Sequence, residues 1–110
     1  MLKRALLIML LSPGLAGAAE STDKVSVNLA GVGARTCAYW LSNQTRKAEG
    51  TVWIYGFWSG LNYVAAASEQ DQSKASGAAM VAAVETACKH DPTRVLASAA
   101  WSAYIDLNEK

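Results

Sequence analysis

The side chains with the most evident chemistry are two cysteines and one histidine, and their spacing limits what the chain can catalyse. Cys37 and Cys88 lack the Cys-x-x-Cys spacing, and the flanking basic cluster, that lower a thiol pKa in redox pairs. His90 lies beside Asp91, but no strained Gly-x-Ser-x-Gly turn offers a serine nucleophile to it. One histidine and two cysteines also fall short of the three or four ligands of a zinc site.

The carboxylates do not form a recognisable site either. They are scattered over polar stretches and wet helix faces, at Glu49, Glu69, Asp71, Glu85, Asp91, Asp106 and Glu109. No two of them pair at a spacing that would tune one pKa against the other. No glycine-rich phosphate loop follows a strand. We therefore predict a chain that is not an enzyme, with no catalytic residue, no metal and no cofactor.

Residues 1–19 have the pattern of a secretory signal peptide. Lys3 and Arg4 precede an apolar run at residues 5–11, and Ala16-Gly17-Ala18 matches the small-x-small cleavage site. The alternative, a retained membrane anchor, is disfavoured because the apolar run is short and ends in a cleavage motif. We predict export to the periplasm and a mature chain of about 91 residues, which is enough for one domain.

The charge of the mature part limits its partners. It carries eight Lys and Arg against nine Asp and Glu, and its basic residues cluster only at Arg46-Lys47. A nearly neutral chain of this kind is not expected to bind nucleic acid or, after signal cleavage, an anionic membrane. The partners that remain are other proteins.

Export changes the interpretation of the two cysteines. In an oxidising compartment, an even pair is expected to form one disulfide, Cys37–Cys88. Closing a loop of about 51 residues would stabilise the fold by roughly 4 kcal/mol through the unfolded state. The alternative, a redox-active pair, is disfavoured by the spacing.

The rest of the sequence predicts an all-α fold, a small four-helix bundle over residues 36–110 with a short extended N-terminal arm at residues 20–35. The arm alternates polar and apolar residues over positions 24–29 and then turns at residues 31–34. Thr36 is the expected N-cap of the first helix and Asp91 that of the last. The predicted helices span residues 36–43, 51–66, 77–89 and 92–107, with polar loops at 42–50 and 68–76.

The predicted central helix is apolar nearly all round. Its broad apolar face, expected to pack in the core, contains Trp53, Ile54, Phe57, Leu61 and Val64, with Asn62 on the opposite, wetter side. Gly56 and Gly60 form a Gly-x-x-x-Gly spacing on the shoulder of that face. Two glycines inside a helix cost about 1 kcal/mol each relative to alanine, so we predict close packing by another segment there. A membrane-spanning role is disfavoured because the stretch is short.

The last two helices have clearer faces. The third is expected to pack through Met80, Val81, Val84, Ala87 and Cys88, and the fourth through Leu96, Ala99, Ala100, Ala103 and Leu107. Trp101 and Ile105 fall on the far side of the fourth helix. Either a neighbouring helix or the arm covers this pair, or it forms a partner-binding surface.

The sequence resembles small two-cysteine periplasmic proteins in three blocks of residues, in the helix break that follows them, and in a final helix with Leu96 and Trp101. These blocks are Cys37-Ala38-Tyr39-Trp40-Leu41, the stretch WIYGFWSGLN at 53–62, and Val84-Glu85-Thr86-Ala87-Cys88. The resemblance spans residues 36–104 and is to the HdeA/HdeB-type acid-stress chaperones, with similar patterns in Tai-type immunity proteins of type VI secretion. It implies a four-helix domain held by one disulfide.

The resemblance also implies a non-catalytic protein-binding role, in one of two forms. A chaperone of the first type loosens in acid and exposes apolar surface to unfolded client proteins. An immunity or inhibitor protein would instead bind one specific secreted effector at neutral pH. A homodimer is compatible with either form.

Overall fold

The computed structural model describes residues 26–109 of the 110-residue chain. The predicted signal peptide and the first residues of the arm lie outside this range. Within it the chain is helical and contains no β-strand, which confirms the predicted all-α bundle with one disulfide. A 3-10 helix, Gly31–Ala34, precedes four α-helices: α1 (Cys37–Trp40), α2 (Gln44–Ala67), α3 (Gly77–His90) and α4 (Leu96–Asn108).

Helix α2 begins earlier than the apolar pattern predicts. The predicted loop at residues 42–50 is wrong from Gln44 onward, where the helix begins. The Gln, Arg, Lys, Ala and Glu residues of this stretch are good helix formers. They carry no apolar periodicity, so the apolar pattern does not predict a helix there. The side-chain oxygen of Asn43 caps the helix by accepting from the backbone N–H of Arg46 at 2.8 Å. Helix α1, capped by Thr36 as predicted, ends at Trp40, short of the predicted end at residue 43.

Helix α4 begins later than predicted, and a backbone pairing sets its first residue. The predicted start at Pro92 with Asp91 as the cap is wrong, since residues 92–94 form a turn. The Leu96 N–H donates to the Arg35 carbonyl at 2.8 Å, and the Cys37 N–H donates to the Arg94 carbonyl at 2.7 Å. This pairing satisfies a helix N-terminal donor that would otherwise need a side-chain cap. Helix α3 lies where the sequence predicts it, with Ser76 as its N-cap.

The disulfide lies at the centre of the core. Cys37 and Cys88 join α1 to α3 with a Cα–Cα distance of 5.2 Å, and both residues are fully buried, as predicted. The predicted inner faces of α3 and α4 are confirmed, since their central residues are buried. The buried core around the disulfide consists of Trp40, Ile54, Trp58, Val84, Leu96, Ala99, Ala100, Ala103 and Tyr104.

The described part of the N-terminal arm lies against α2. Residues 26–30 are neither helix nor strand, and the backbone of Ala30 is extended. The indole N–H of Trp53 donates to the Ala30 carbonyl at 3.2 Å. Gly33 is buried beneath the Trp53 ring, where a Cβ would overlap the indole. The arm therefore contributes to the bundle by covering one side of Trp53.

Alanine substitutions at Gly50 and Gly56, both inside α2, are expected to have opposite effects on stability. A Cβ at Gly50 would lie 2.6 Å from Trp40 Nε1, and this buried indole is held by a 2.9 Å hydrogen bond to the Lys47 carbonyl. Gly50→Ala should therefore lower the free energy of unfolding by about 1–2 kcal/mol, because the cost of overpacking exceeds the gain in helix propensity. Gly56 has open space around it, so Gly56→Ala should raise the free energy of unfolding by about 0.5–1 kcal/mol. Urea unfolding followed by circular dichroism measures both; two changes of the same sign would contradict the packing of Trp40 against Gly50.

Candidate interaction surface

The two glycines of the Gly-x-x-x-Gly spacing lie on the exposed side of α2. No atom lies within 4 Å of a Cβ placed on Gly56 or Gly60, so the predicted close packing by another segment is wrong for the described part of the chain. Ile54 and Trp58 turn towards the core instead. The physical reason is that burying these two large side chains removes more apolar area from water than burying a glycine edge.

The exposed side of α2 forms one continuous surface, which we call the α2 outer face. Its residues lie within about 140° of one another around the helix, at 100° per residue. They are Val52, Tyr55, Gly56, Ser59, Gly60 and Tyr63, all exposed. Val64 borders this face and is 62% exposed, so its predicted place in the core is wrong.

The α2 outer face is free of charge and partly apolar. No Asp, Glu, Lys or Arg occurs from Gly50 to Ser68. Val52 is 69% exposed and Tyr63 is 71% exposed. The helix also carries the cost of Gly56 and Gly60, about 1 kcal/mol each relative to alanine, with no contact inside the described chain that offsets it. Contiguous uncharged surface of this kind is typical of interaction sites.

None of the helices within residues 26–109 combines the length and hydropathy that a membrane span requires.

The predicted pair on α4 is split by the structure. Trp101 is 48% exposed, whereas Ile105 is half-buried against the core. The Trp101 ring is stacked parallel to that of Tyr104 with centroids 6.3 Å apart. Tyr104 is itself buried, with its ring edge-on to Trp58 at 5.2 Å. The burial of Tyr104 is not predicted by the helical pattern, because its position falls between the two faces assigned to α4.

Asn62 has a structural role that its position in the sequence does not predict. Predicted on the wet side of α2, it is half-buried and connects three segments. Its Oδ1 accepts from the Ser73 backbone N–H and from the Tyr104 hydroxyl, both at 2.8 Å, and its Nδ2 donates to the Ser73 carbonyl at 3.2 Å. The only sequence signal was a lone amide in a long uncharged stretch. Asn62 fixes the loop at residues 68–76 and helix α4 against α2.

A second group that sequence spacing does not reveal is the Arg–Tyr–Arg cluster, formed by Arg35, Tyr39 and Arg46. The Cζ atoms of Arg35 and Arg46 lie 3.9 Å and 4.3 Å from the centroid of the Tyr39 ring. These are cation–π distances. Adjacent positions in the sequence predict only the pair Arg46-Lys47. Arg35 and Arg46 are 11 residues apart, and they meet at Tyr39 because the turn between α1 and α2 brings Arg46 back to that ring.

The titratable groups near His90 are organised around a turn. The pKa of Asp91 is lowered, chiefly because its carboxylate accepts from the Thr93 hydroxyl at 2.7 Å and also from the Thr93 backbone N–H at 3.2 Å. Desolvation opposes these hydrogen bonds by raising the pKa of Asp91, and the charges of Arg94 and His90 lower it by the smallest amounts. Asp91 is exposed and serves the turn between α3 and α4. In the described range, no three His, Cys, Asp or Glu side chains converge as a metal site would require.

No protein-family model, curated protein or solved structure matches this chain. The comparisons therefore do not identify an HdeA/HdeB-type or a Tai-type family, and that resemblance stays a prediction from the sequence. The helical bundle and the Cys37–Cys88 disulfide are established by the structure itself.

Proposed function

We propose that this chain is an exported, non-catalytic protein-binding module that uses the α2 outer face, in its folded and disulfide-bonded state, to bind a helix of another protein. The observation that carries the proposal is the continuous, uncharged exposure of this face along α2. From Val52 to Tyr63 it runs for about 16 Å at 1.5 Å per residue, which is three helical turns.

The composition of the α2 outer face suits protein recognition. Tyrosine is enriched among the residues that dominate binding energy, and Tyr55 and Tyr63 offer rings with a polar tip. With no charge on the face, a partner can cover it without desolvating an ion. Gly56 and Gly60 are one turn apart and let a second backbone come close, which favours a helix as the occupant.

Exposure of this face in the folded state favours binding to a specific partner at neutral pH, as an immunity or inhibitor protein would bind its effector. The acid-chaperone form rests on the sequence resemblance. It requires the bundle to loosen as its carboxylates become protonated and the chain becomes positively charged. Both forms bind proteins, and they differ in the state of the chain that binds.

A charge placed at the C-terminal end of the α2 outer face tests the proposal. The disulfide-bonded protein, used as bait in periplasmic extract at neutral pH, is expected to capture a stoichiometric partner. Tyr63→Glu should weaken capture by at least about tenfold, because the partner would bury an unpaired carboxylate. The matched control is Ala82→Glu, which adds the same charge at an exposed position of α3 and should leave capture unchanged.

Two results would contradict the proposal: no partner at neutral pH, or equal capture by Tyr63→Glu and the unmodified protein. If the first result is accompanied by suppression of client aggregation in strongly acidic buffer, the acid-chaperone form replaces the specific-partner form. Thermal unfolding of both variants by circular dichroism establishes that they are folded.

A further inference from the structure

The Arg–Tyr–Arg cluster carries two positive charges that no carboxylate within the described residues neutralises. The ion pairs there join Lys47 and Lys89 to Glu85, at 3.2 Å and 3.7 Å, and neither involves Arg35 or Arg46. Two guanidinium groups on one aromatic ring repel each other unless an anion lies nearby. The fold thus holds together two cations that lack a counterion in this part of the chain.

Most of the hydrogen-bond donors of the cluster are unused. A guanidinium has five N–H donors in a fixed fork. Arg46 uses one of them, from Nη1 to the Ser42 hydroxyl at 3.3 Å, and the Arg35 guanidinium donates to no acceptor within residues 26–109. Their contacts with the Tyr39 ring restrain both groups, so less conformational entropy is lost when they bind a ligand.

We propose that the Arg–Tyr–Arg cluster is a binding site for the carboxylate side chains of an acidic segment in a protein partner. An arginine fork binds a carboxylate through two parallel N–H···O hydrogen bonds. Two such forks on one tyrosine suit adjacent or nearby Asp and Glu residues. The proposal rests on the proposed function, since it supposes that the partner is a protein.

Charge distinguishes an acidic protein segment from a nucleic acid or an anionic lipid surface. Residues 26–109 contain six Lys and Arg against seven Asp and Glu, so a long polyanion would meet net repulsion beyond the cluster. Lipid-binding basic patches contain about four to eight Lys and Arg, and this cluster has two. The adjacent cation, Lys47, is already paired with Glu85.

The position of the cluster relative to the α2 outer face supports a shared partner. Arg46 lies in the first turn of α2, six residues before Val52, which begins the outer face. At 1.5 Å per residue the two are separated by about 9 Å along the helix axis. At 100° per residue Arg46 lies about 120° around the helix from Val52, in line with Val64 on the border of the outer face, so a partner that covers both surfaces must extend over that border.

A short glutamate peptide tests the site without the natural partner. Binding of a fluorescein-labelled hexaglutamate peptide to the disulfide-bonded protein is measured by fluorescence anisotropy at low salt. Arg35→Gln and Arg46→Gln should each weaken binding by about tenfold. Arg46→Lys should weaken it by less, because lysine keeps the positive charge but lacks the planar fork. The matched control, Lys74→Gln, removes one exposed positive charge in the loop at residues 68–76 and should change binding less than twofold.

The proposal is overturned if Lys74→Gln weakens peptide binding as much as Arg46→Gln does, since net charge would then explain the binding. Tighter binding to phosphatidylglycerol vesicles or to a single-stranded oligonucleotide than to the peptide would also overturn it. Tyr63→Glu should leave peptide binding intact. The two proposals can therefore fail separately: the capture assay tests the α2 outer face as a docking surface, and the peptide assay tests the Arg–Tyr–Arg cluster as a carboxylate site. Circular dichroism of each arginine variant excludes unfolding as the cause of lost binding.

Discussion

Replacing Cys37 and Cys88 together by alanine is expected to lower the free energy of unfolding by about 4 kcal/mol, a large share of the total stability of a small domain. The disulfide closes a loop of 51 residues that contains all of α2 and most of α3. Without the disulfide, the unfolded chain gains the conformational freedom of that loop. Helix α1 has only four residues and cannot form by itself, so it depends on this covalent bond and on its packing.

Thermal unfolding followed by circular dichroism measures this effect. For a domain of this size, a loss of about 4 kcal/mol corresponds to a fall in Tm of more than about 15 °C. The control is the unmodified protein unfolded and refolded in the presence of reductant, which should behave like the double variant. A loss below about 1 kcal/mol would show that packing alone holds α1 in place and would contradict this account.

Replacing Asn62 by alanine is expected to lower the free energy of unfolding by about 2–3 kcal/mol. The substitution removes an acceptor from the Ser73 N–H and the Tyr104 hydroxyl, and a donor from the Ser73 carbonyl. All three groups are partly buried, and leaving them without partners costs more than the hydrogen bonds contribute when formed. The loop at residues 68–76 should also become more accessible to proteases, because the side chain of Asn62 hydrogen-bonds it to α2 through Ser73.

Asn108 is the matched control for Asn62. Its Nδ2 donates to the Asp71 carbonyl at 3.3 Å, so it too connects a helix to this loop through an amide, but it is exposed. Asn108→Ala should change the free energy of unfolding by less than about 0.5 kcal/mol. Tyr104→Phe should cost about 1 kcal/mol, and a double-mutant cycle with Asn62→Ala should show coupling. Equal costs for the two asparagine substitutions would contradict the role assigned to Asn62.

The parts of the fold that the sequence predicts are those with a single strong pattern. Helix α3 combines one apolar stripe with a break at Pro92, and its bounds agree with the prediction to within one residue. The inner face of α4 is similarly clear, because its small residues recur at helical spacing. The disulfide follows from the even number of cysteines and their expected compartment, without any knowledge of the packing.

The parts that the sequence does not predict depend on contacts between distant residues. Helix α2 is apolar around its whole circumference, so periodicity cannot decide whether Trp58 or Val64 faces the core. Its first turns lie in a polar stretch without apolar periodicity, and the contact that joins them to the core, Trp40 against Gly50, is between residues of different helices. The Arg–Tyr–Arg cluster likewise exists only because the turn at residues 41–43 brings Arg46 back to Tyr39.

The backbone pairing between residues 35–37 and 94–96 has a consequence for the order of assembly. Thr36 and Val95 form an isolated antiparallel bridge, and the donor of Leu96 that begins α4 is satisfied only by Arg35. A contact between residues so far apart in the chain raises the contact order and delays its formation. During synthesis, residues 35–37 are made long before residues 94–96, with which they pair at the start of α4. The pairing thus forms only after residue 96 has been synthesised. A truncation that removes residues 35–37 or residues 94–96 leaves both α1 and α4 without the hydrogen bond that this pairing provides at their first residues.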